Sequence, residues 1–254
     1  MSTEIGLPVR STMQALTEGL KKILDGRLLG VYLGGSAVMG DFCEASSDLD
    51  FLVVTKGALS IEDALAVQLL HKDLLRSHAY ASRLEGDYAP QAVLVPEGTS
   101  EPVPGCERGK FLPKVGEIML SADNIANLHD HGISFFGPPP EKLLPTASPD
   151  QVRAAVRQML SEGFQPCETA AEAASGLLNL LRSICALELG RPVTKTEGAA
   201  WGLAHLDEAW HEAVATALAV RCGKESPGDF DLLRKALPQL ERWARDRYAD
   251  AVCD

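Results

Sequence analysis

The sequence predicts an α+β fold, with an N-terminal domain of mixed sheet and helices followed by a C-terminal α-helical bundle domain. Three observations predict it. Two short apolar runs, Leu28 to Leu33 and Leu49 to Val54, flank a glycine turn and an aspartate pair in the manner of neighbouring strands. A stop at Gly137-Pro-Pro-Pro140 and a polar, proline-bearing stretch to Pro149 read as an interdomain linker. After it, apolar residues recur at helical spacing throughout, so the expected domains are residues 1–150 and 151–254.

Taken in order, Thr12 to Leu24 has the apolar period of an amphipathic helix, and Leu28-Leu-Gly-Val-Tyr-Leu33 reads as a buried strand stopped by Gly34-Gly35. Ser36 to Ser47 is a small-residue connection with room for a short helix, and the second strand follows. Ile61 to Ser77 spaces Leu65, Leu69, Leu70 and Leu74 as a helical core stripe, and Ala79 to Leu84 is expected to return as a third strand. Val95 to Pro113, rich in Pro, Gly and charge, predicts an irregular connection; Ile133-Ser-Phe-Phe136 predicts a last short strand. Ser148 caps a helix with Pro149 at its first position, and further helices are expected over Thr169–Leu189, Thr196–Leu206, Ala209–Val220 and Phe230–Tyr248.

The bulk properties narrow the function. A formal charge of −11 disfavours broad contact with nucleic-acid phosphates, which needs clustered Lys and Arg, and makes a polynucleotide substrate unexpected. No segment is apolar enough for a membrane span and the first residues lack a signal-peptide pattern, so a cytoplasmic protein is expected. The six cysteines, Cys43, Cys106, Cys167, Cys185, Cys222 and Cys253, form no CxxC pair and suggest neither zinc nor a disulfide framework. His129 and His131 lack a third ligand nearby and read as structural or solvated.

Chemistry concentrates in Leu33-Gly-Gly-Ser-Ala-Val-Met-Gly40 and Ser46-Ser-Asp-Leu-Asp-Phe-Leu-Val-Val54. Glycine lets backbone amides approach a phosphate without a Cβ in the way, and the Ser36 hydroxyl beside Gly35 adds a donor. Asp48 and Asp50, two apart on a strand, point to one face. Two hard oxygen ligands at that spacing suit magnesium, and a pair of such ions can clamp an in-line phosphoryl displacement. A third carboxylate would complete the set.

This arrangement, with eleven residues between Ser36 and Asp48, resembles the DNA polymerase β-type nucleotidyltransferase superfamily. Within it, Gly34 to Val54 is similar to the streptomycin/spectinomycin adenylyltransferases, the aminoglycoside adenylyltransferase family. Further similar segments are Ser82 to Pro90, His131 to Pro138, Arg182 to Gly190 and Thr194 to Trp201, so the resemblance spans most of the chain. It implies a polymerase-β-like N-terminal domain, a helical substrate- and nucleotide-binding domain, ATP as co-substrate and Mg2+, two ions being expected. It also implies that Ser36 and Ser47 contact phosphate, that Asp48 and Asp50 bind the metal, and that Glu85 is the general base and third carboxylate. Arg182 and Lys195 would neutralise the triphosphate. Family members that act on streptomycin carry a tryptophan after the third carboxylate, whereas this chain has none before Trp201, which makes streptomycin the less expected of the two drugs.

The residues support these roles independently. A hydroxyl acceptor needs a carboxylate within reach to take its proton, a part that Glu85 can play and for which Asp87, on the same strand face, competes. At about 100° per residue, Glu168, Glu172, Ser175, Asn179 and Arg182 fall within a stripe of roughly 80°, where the acids could hold ammonium groups of an aminoglycoside. The expected reaction is transfer of AMP from MgATP to a hydroxyl of a cationic aminoglycoside-like small molecule, in a cleft between the domains, releasing pyrophosphate. A monomer is expected, and antibiotic resistance is the implied role. A protein or RNA acceptor and a catalytically silent nucleotide-binding regulator are the alternatives.

Overall fold

The computed structural model describes residues 5–113, 120–163 and 166–248. The chain divides into two compact units, Met1–Phe42 with Ser47–Ala147 and Cys43–Ser46 with Ser148–Asp254.

The first unit is built on a six-stranded mixed sheet of order β7-β6-β3-β2-β1-β8. Its strands are β1 (Leu28–Leu33), β2 (Leu49–Thr55), β3 (Leu84–Pro90), β6 (Gly105–Glu107), β7 (Lys110–Leu112) and β8 (Ile133–Phe136). A separate hairpin joins β4 (Leu94–Val95) to β5 (Gly98–Thr99). β2 and β3 run parallel and the other pairs antiparallel, so the two strands that carry the acids present them at the same end. Alternation then assigns the faces. Leu49, Phe51 and Val53 with Leu84 and Tyr88 pack into one core with α1 (Leu7–Leu24) and α2 (Ile61–Ser77). Leu52, Val54 and Ala89 join a second core with α3 (Ala122–His131).

Several expectations in this half are corrected. α1 begins at Leu7, because Pro8 in its first turn presets a helical φ at no hydrogen-bond cost. Ala79–Leu84 is not the third strand: Ala81–Arg83 is a 3-10 turn and the strand is Leu84–Pro90. Val95–Pro113 is not irregular; β6 and β7 form a hairpin there whose Arg108-Gly109 turn holds φ of +48° and +75°, the twist a tight hairpin requires. The leucine stripe of α2 was misplaced by part of a turn. Leu65 and Leu69 are exposed, and the buried face is Asp63, Val67, His71 and Leu74. Two polar residues on that face hid it from a hydrophobicity count. Each is satisfied: Asp63 makes a two-pronged pair with Arg27 at 2.5 and 2.7 Å, and His71 bonds Tyr88 Oη at 2.5 Å and the Gly109 carbonyl at 3.1 Å. The helix α3 was not placed from sequence at all.

The second unit holds α4 (Pro149–Glu162), α5 (Ala170–Leu189), α6 (Lys195–His205), α7 (His211–Arg221) and α8 (Asp229–Tyr248). Ser148, Thr169 and Thr194 accept hydrogen bonds from the third residue of their helices, which fixes where α4, α5 and α6 start. α5 is the axis of the bundle, its Leu177, Leu178, Leu180, Leu181 and Ile184 wholly buried among the other helices. Among the described residues no helix is long and apolar enough to cross a membrane.

Candidate active site

Gly35 takes φ of +63°, a conformation that suits glycine, and its amide donates to Asn127 Oδ1 at 2.6 Å. The Gly34 amide donates to the Asp50 carbonyl at 2.8 Å. A Cβ added to Gly35 would collide with the Asp50 carboxylate. The glycine turn therefore lies directly on the carboxylate pair, and any side chain at Gly35 would displace Asp50. One 3-10 turn, Gly35–Ala37, is all the regular structure the connection forms.

The parallel register sets Asp50 beside Glu85 and Leu52 beside Asp87. Glu85 is thus the acid next to the aspartate pair, and Asp87 lies one step further in. Burial raises the Glu85 carboxyl to about 7, with Asp48, Asp50 and Glu107 adding repulsion and Arg108 opposing it. Asp87 is pushed up to about 6 by burial alone, and its Oδ1 is enclosed without a hydrogen-bond partner. Ser47 is buried, and its carbonyl accepts from Arg83 Nη1 at 2.9 Å, which anchors the backbone just ahead of the exposed Asp48.

Gly35, Ser36, Ser47, Asp48, Asp50 and Glu85 are all brought to one end of β1, β2 and β3. The donor set is hard oxygen throughout, and its mutual repulsion is what a divalent cation would relieve, so the residues fit magnesium chemically. In this arrangement no three His, Cys, Asp or Glu side chains among the described residues stand in ligating geometry. Asn127, Arg83 and the Glu107-Arg108 turn were missed from sequence. Asn127 and the turn lie on elements that were not placed there, while Arg83 sits in the similar segment Ser82–Pro90 and could have been found.

In the helical unit, Gly198 does for helices what Gly35 does for the turn. A Cβ there would meet the Arg182 backbone at 2.5 Å, so the missing side chain lets α6 lie on α5 at that residue. One turn back, Lys195 Nζ reaches Ser175 Oγ at 3.0 Å. Ser175, Asn179 and Arg182 follow one another along the same face of α5, and Asn179 Oδ1 is enclosed without a partner. The Arg182 guanidinium, half-buried, has no hydrogen bond or ion pair among the described residues. The expected stripe is shortened at its start. Glu168 precedes the N-cap Thr169 and is not on the helix, while Glu172 Oε2 accepts from the Glu168 and Thr169 amides at 2.8 and 3.2 Å. Both acids are exposed. His129 bonds Asp130 at 2.7 Å and Thr146 at 3.2 Å, which gives it structural work.

Comparison with known proteins bears on both halves. Residues 142–246 match the family described as aminoglycoside adenylyltransferase, C-terminal domain. The crystal structure of spectinomycin adenyltransferase AAD(9) from Enterococcus faecialis with ATP and spectinomycin superposes with a TM-score of 0.69 at 19% identity, covering 90% of this chain and 99% of that one. No curated protein matches the sequence. At that identity the superposition shows a shared fold over nearly the whole chain. The helical half is thus similar to the aminoglycoside adenylyltransferase C-terminal domain.

Proposed function

We propose that the protein transfers AMP from MgATP to a hydroxyl of a small aminoglycoside-like acceptor, with spectinomycin ahead of streptomycin. The observation that carries this reading is the register pair Asp50 and Glu85, with Asp48 just ahead of β2 close enough to repel the Glu85 carboxyl. Glu85 takes the proton of the acceptor hydroxyl as its oxygen attacks the α-phosphorus. The bond from that phosphorus to the bridging oxygen breaks, pyrophosphate leaves, and in-line attack inverts the phosphorus. A carboxyl near 7 is matched to this work at neutral pH, and a cation beside it would draw the value down.

Asp48 and Asp50, with Glu85 as third carboxylate, would hold magnesium. The metal supplies charge neutralisation of the triphosphate when bound. The amides around Gly35, with the Ser36 and Ser47 hydroxyls, orient the phosphates. Arg182, which has no partner among the described residues, and Lys195 offset the charge of the departing pyrophosphate. Glu172, with Glu168 on the chain just before it, holds ammonium groups of the acceptor.

Three features support a small cationic acceptor: the AAD(9) fold, the family of the helical half and the net charge of −11. The test is pyrophosphate release from MgATP with spectinomycin, with streptomycin and with neither. Release that depends on spectinomycin and vanishes in Glu85→Gln is expected. Nucleotide binding with no release for either drug would sink the proposal and leave a regulator.

A further inference from the structure

We infer that Cys43 and Cys222 form a reversible disulfide when the protein meets a two-electron oxidant of the hydroperoxide class, making the turn ahead of Ser47 a modification site. Residues Cys43–Ser46 cluster with the helical unit although they lie in sequence between Ser36 and Asp48. There Cys43 Sγ donates to the Arg221 carbonyl at 3.2 Å, and Cys222 is the next residue. Ala45 Cβ comes within 3.5 Å of where a Cβ of Gly223 would stand, so the whole Cys43–Ala45 turn rests on the Arg221–Gly223 turn that ends α7. Cys43 Sγ thus stands against the peptide that joins Arg221 to Cys222. Nothing in the secondary structure has to open for the two thiols to meet.

Reactivity is arranged in the same place. Cys222 is exposed and Cys43 partly so, which admits a small oxidant. Burial pushes the Cys43 thiol up. The Ala45 backbone, the Ser46 hydroxyl, the Arg221 guanidinium and the Cys222 thiol outweigh it and leave Cys43 below the ordinary thiol value. The remaining described cysteines are opposite cases. Burial drives Cys106 up to about 12 and Cys185 up to about 11, and Cys167 is also raised. Cys253 lies outside the described residues.

The chemistry balances with a hydroperoxide as oxidant. The Cys43 thiolate attacks one peroxide oxygen, the O–O bond breaks, and hydroxide leaves a sulfenic acid on Cys43. The Cys222 sulfur attacks that sulfur, the S–S bond forms, and the sulfenic oxygen departs as water. Two thiols are oxidised and hydrogen peroxide is reduced to water. The bond ties residue 43 to the end of α7, which restrains the chain that runs directly into Ser47 and Asp48.

The test uses the full chain, treated with a small excess of hydrogen peroxide, alkylated with N-ethylmaleimide, and digested without reductant for mass spectrometry. The expected result is one cross-linked peptide pair joining Cys43 and Cys222, lighter than the two reduced peptides by two hydrogens and released by dithiothreitol. It is lost in Cys43→Ser and in Cys222→Ser and kept in Cys106→Ser. A cross-link through any other cysteine overturns the inference. So does Cys43 carried to sulfinic acid while Cys222 still alkylates, and so does full alkylation of both after peroxide. Because the readout is a mass, it stands or falls independently of the proposed transfer reaction.

Discussion

The two units accommodate polar groups in opposite ways. The sheet unit buries groups that titrate, Asp63 and His71 on α2 and Asp87 on β3, and half-buries Glu85 beside Asp87 on the same strand. The helical unit has an almost uniformly apolar interior and keeps its polar face as a short run along α5, from Ser175 to Arg182, opposed by Lys195. Interior charge costs stability unless it is paired, so a carboxyl raised to about 7 beside two more is a cost the sheet unit bears for the site. The helical unit bears a smaller one, an enclosed amide oxygen and, among the described residues, an arginine without a partner. Disturbing the first half should therefore change chemistry and pH behaviour, and disturbing the second should change nucleotide affinity.

The largest effect is expected at the carboxylates. Asp50→Asn should cost several kcal/mol of transition-state stabilisation, a fall in kcat of about 10³-fold or more. Glu85→Gln should lower kcat by about 10²- to 10⁴-fold while ATP binding is kept, as befits a proton acceptor. Asp87→Asn is the control, since its register partner is Leu52 and not an acid of the site. Single-turnover rates with nucleotide affinities measured alongside decide the matter. A larger loss in Asp87→Asn than in Glu85→Gln would show that the wrong acid had been named. In the protein without metal, Glu85→Gln should also raise the Tm above neutral pH. The stability that protonated Glu85 retains below its ordinary value is lost as pH climbs through about 7, and glutamine removes that loss.

The placement of these residues was legible in the sequence to the extent that the backbone alone imposes it. Strand alternation sets Asp50 on the face of β2 opposite Leu49 and Phe51, with Asp48 just ahead of the strand, and the glycine turn is forced by φ at Gly35, so both placements need no knowledge of the partners. What was not legible depends on residues far away. Asn127 holds the Gly35 amide from α3, and the Arg108 charge reaches Glu85 from a hairpin that read as loop because Gly and Pro dominate its flanks. The buried face of α2 was missed because Asp63 and His71 occupy it, and their partners Arg27, Tyr88 and Gly109 cannot be found by periodicity. In the bundle the helix starts were legible through their caps. The helical stripe failed only at Glu168, because the N-cap at Thr169 starts the helix after it.

The next effect belongs to the sheet unit alone. Burial lowers His71 to about 4, the Gly109 carbonyl pulling weakly the other way, so the folded protein holds it neutral between Phe51, Phe111 and Tyr88. Its contribution is fully present above the ordinary histidine value of 6.5 and is lost as pH falls through about 4. The gap corresponds to roughly 3 kcal/mol. Unfolding followed between neutral pH and pH of about 4 should show this acid loss, and His71→Gln should flatten it while lowering stability at neutral pH. An unchanged slope in the variant would show that His71 does not carry the acid loss in this window, since Asp63, held far below the usual carboxylate range by Arg27, gives up its contribution only at more acid pH.

In the helical unit, Arg182→Ala should raise the KM for ATP by about 10- to 100-fold, the worth of one or two charge-assisted hydrogen bonds, and should leave the pH profile of kcat in place. A shifted pH profile would instead couple Arg182 to the acids, against the division between the two halves.

The smallest effect tests how the helical unit positions its cations. Gly198 lies on the Arg182 backbone, where a methyl group would stand at 2.5 Å, closer than any relaxed contact allows. Gly198→Ala must therefore push α6 off α5, at about 1–3 kcal/mol for overpacking, partly offset by the better helix propensity of alanine. Lys195 lies one turn earlier on α6 and bonds Ser175 at 3.0 Å, so the same displacement draws it from the α5 face. A modest drop in Tm with a several-fold rise in the KM for ATP is expected, and kcat should hold. Gly202→Ala is the matched control, because its methyl group would meet only side chains, Leu181 at 3.0 and 3.2 Å and Leu206 at 3.6 Å, four residues past the glycine that lies on the Arg182 backbone. If both variants lower Tm equally and both spare the KM, the glycine at 198 serves packing alone, and the cationic face of α5 does not depend on how closely α6 approaches.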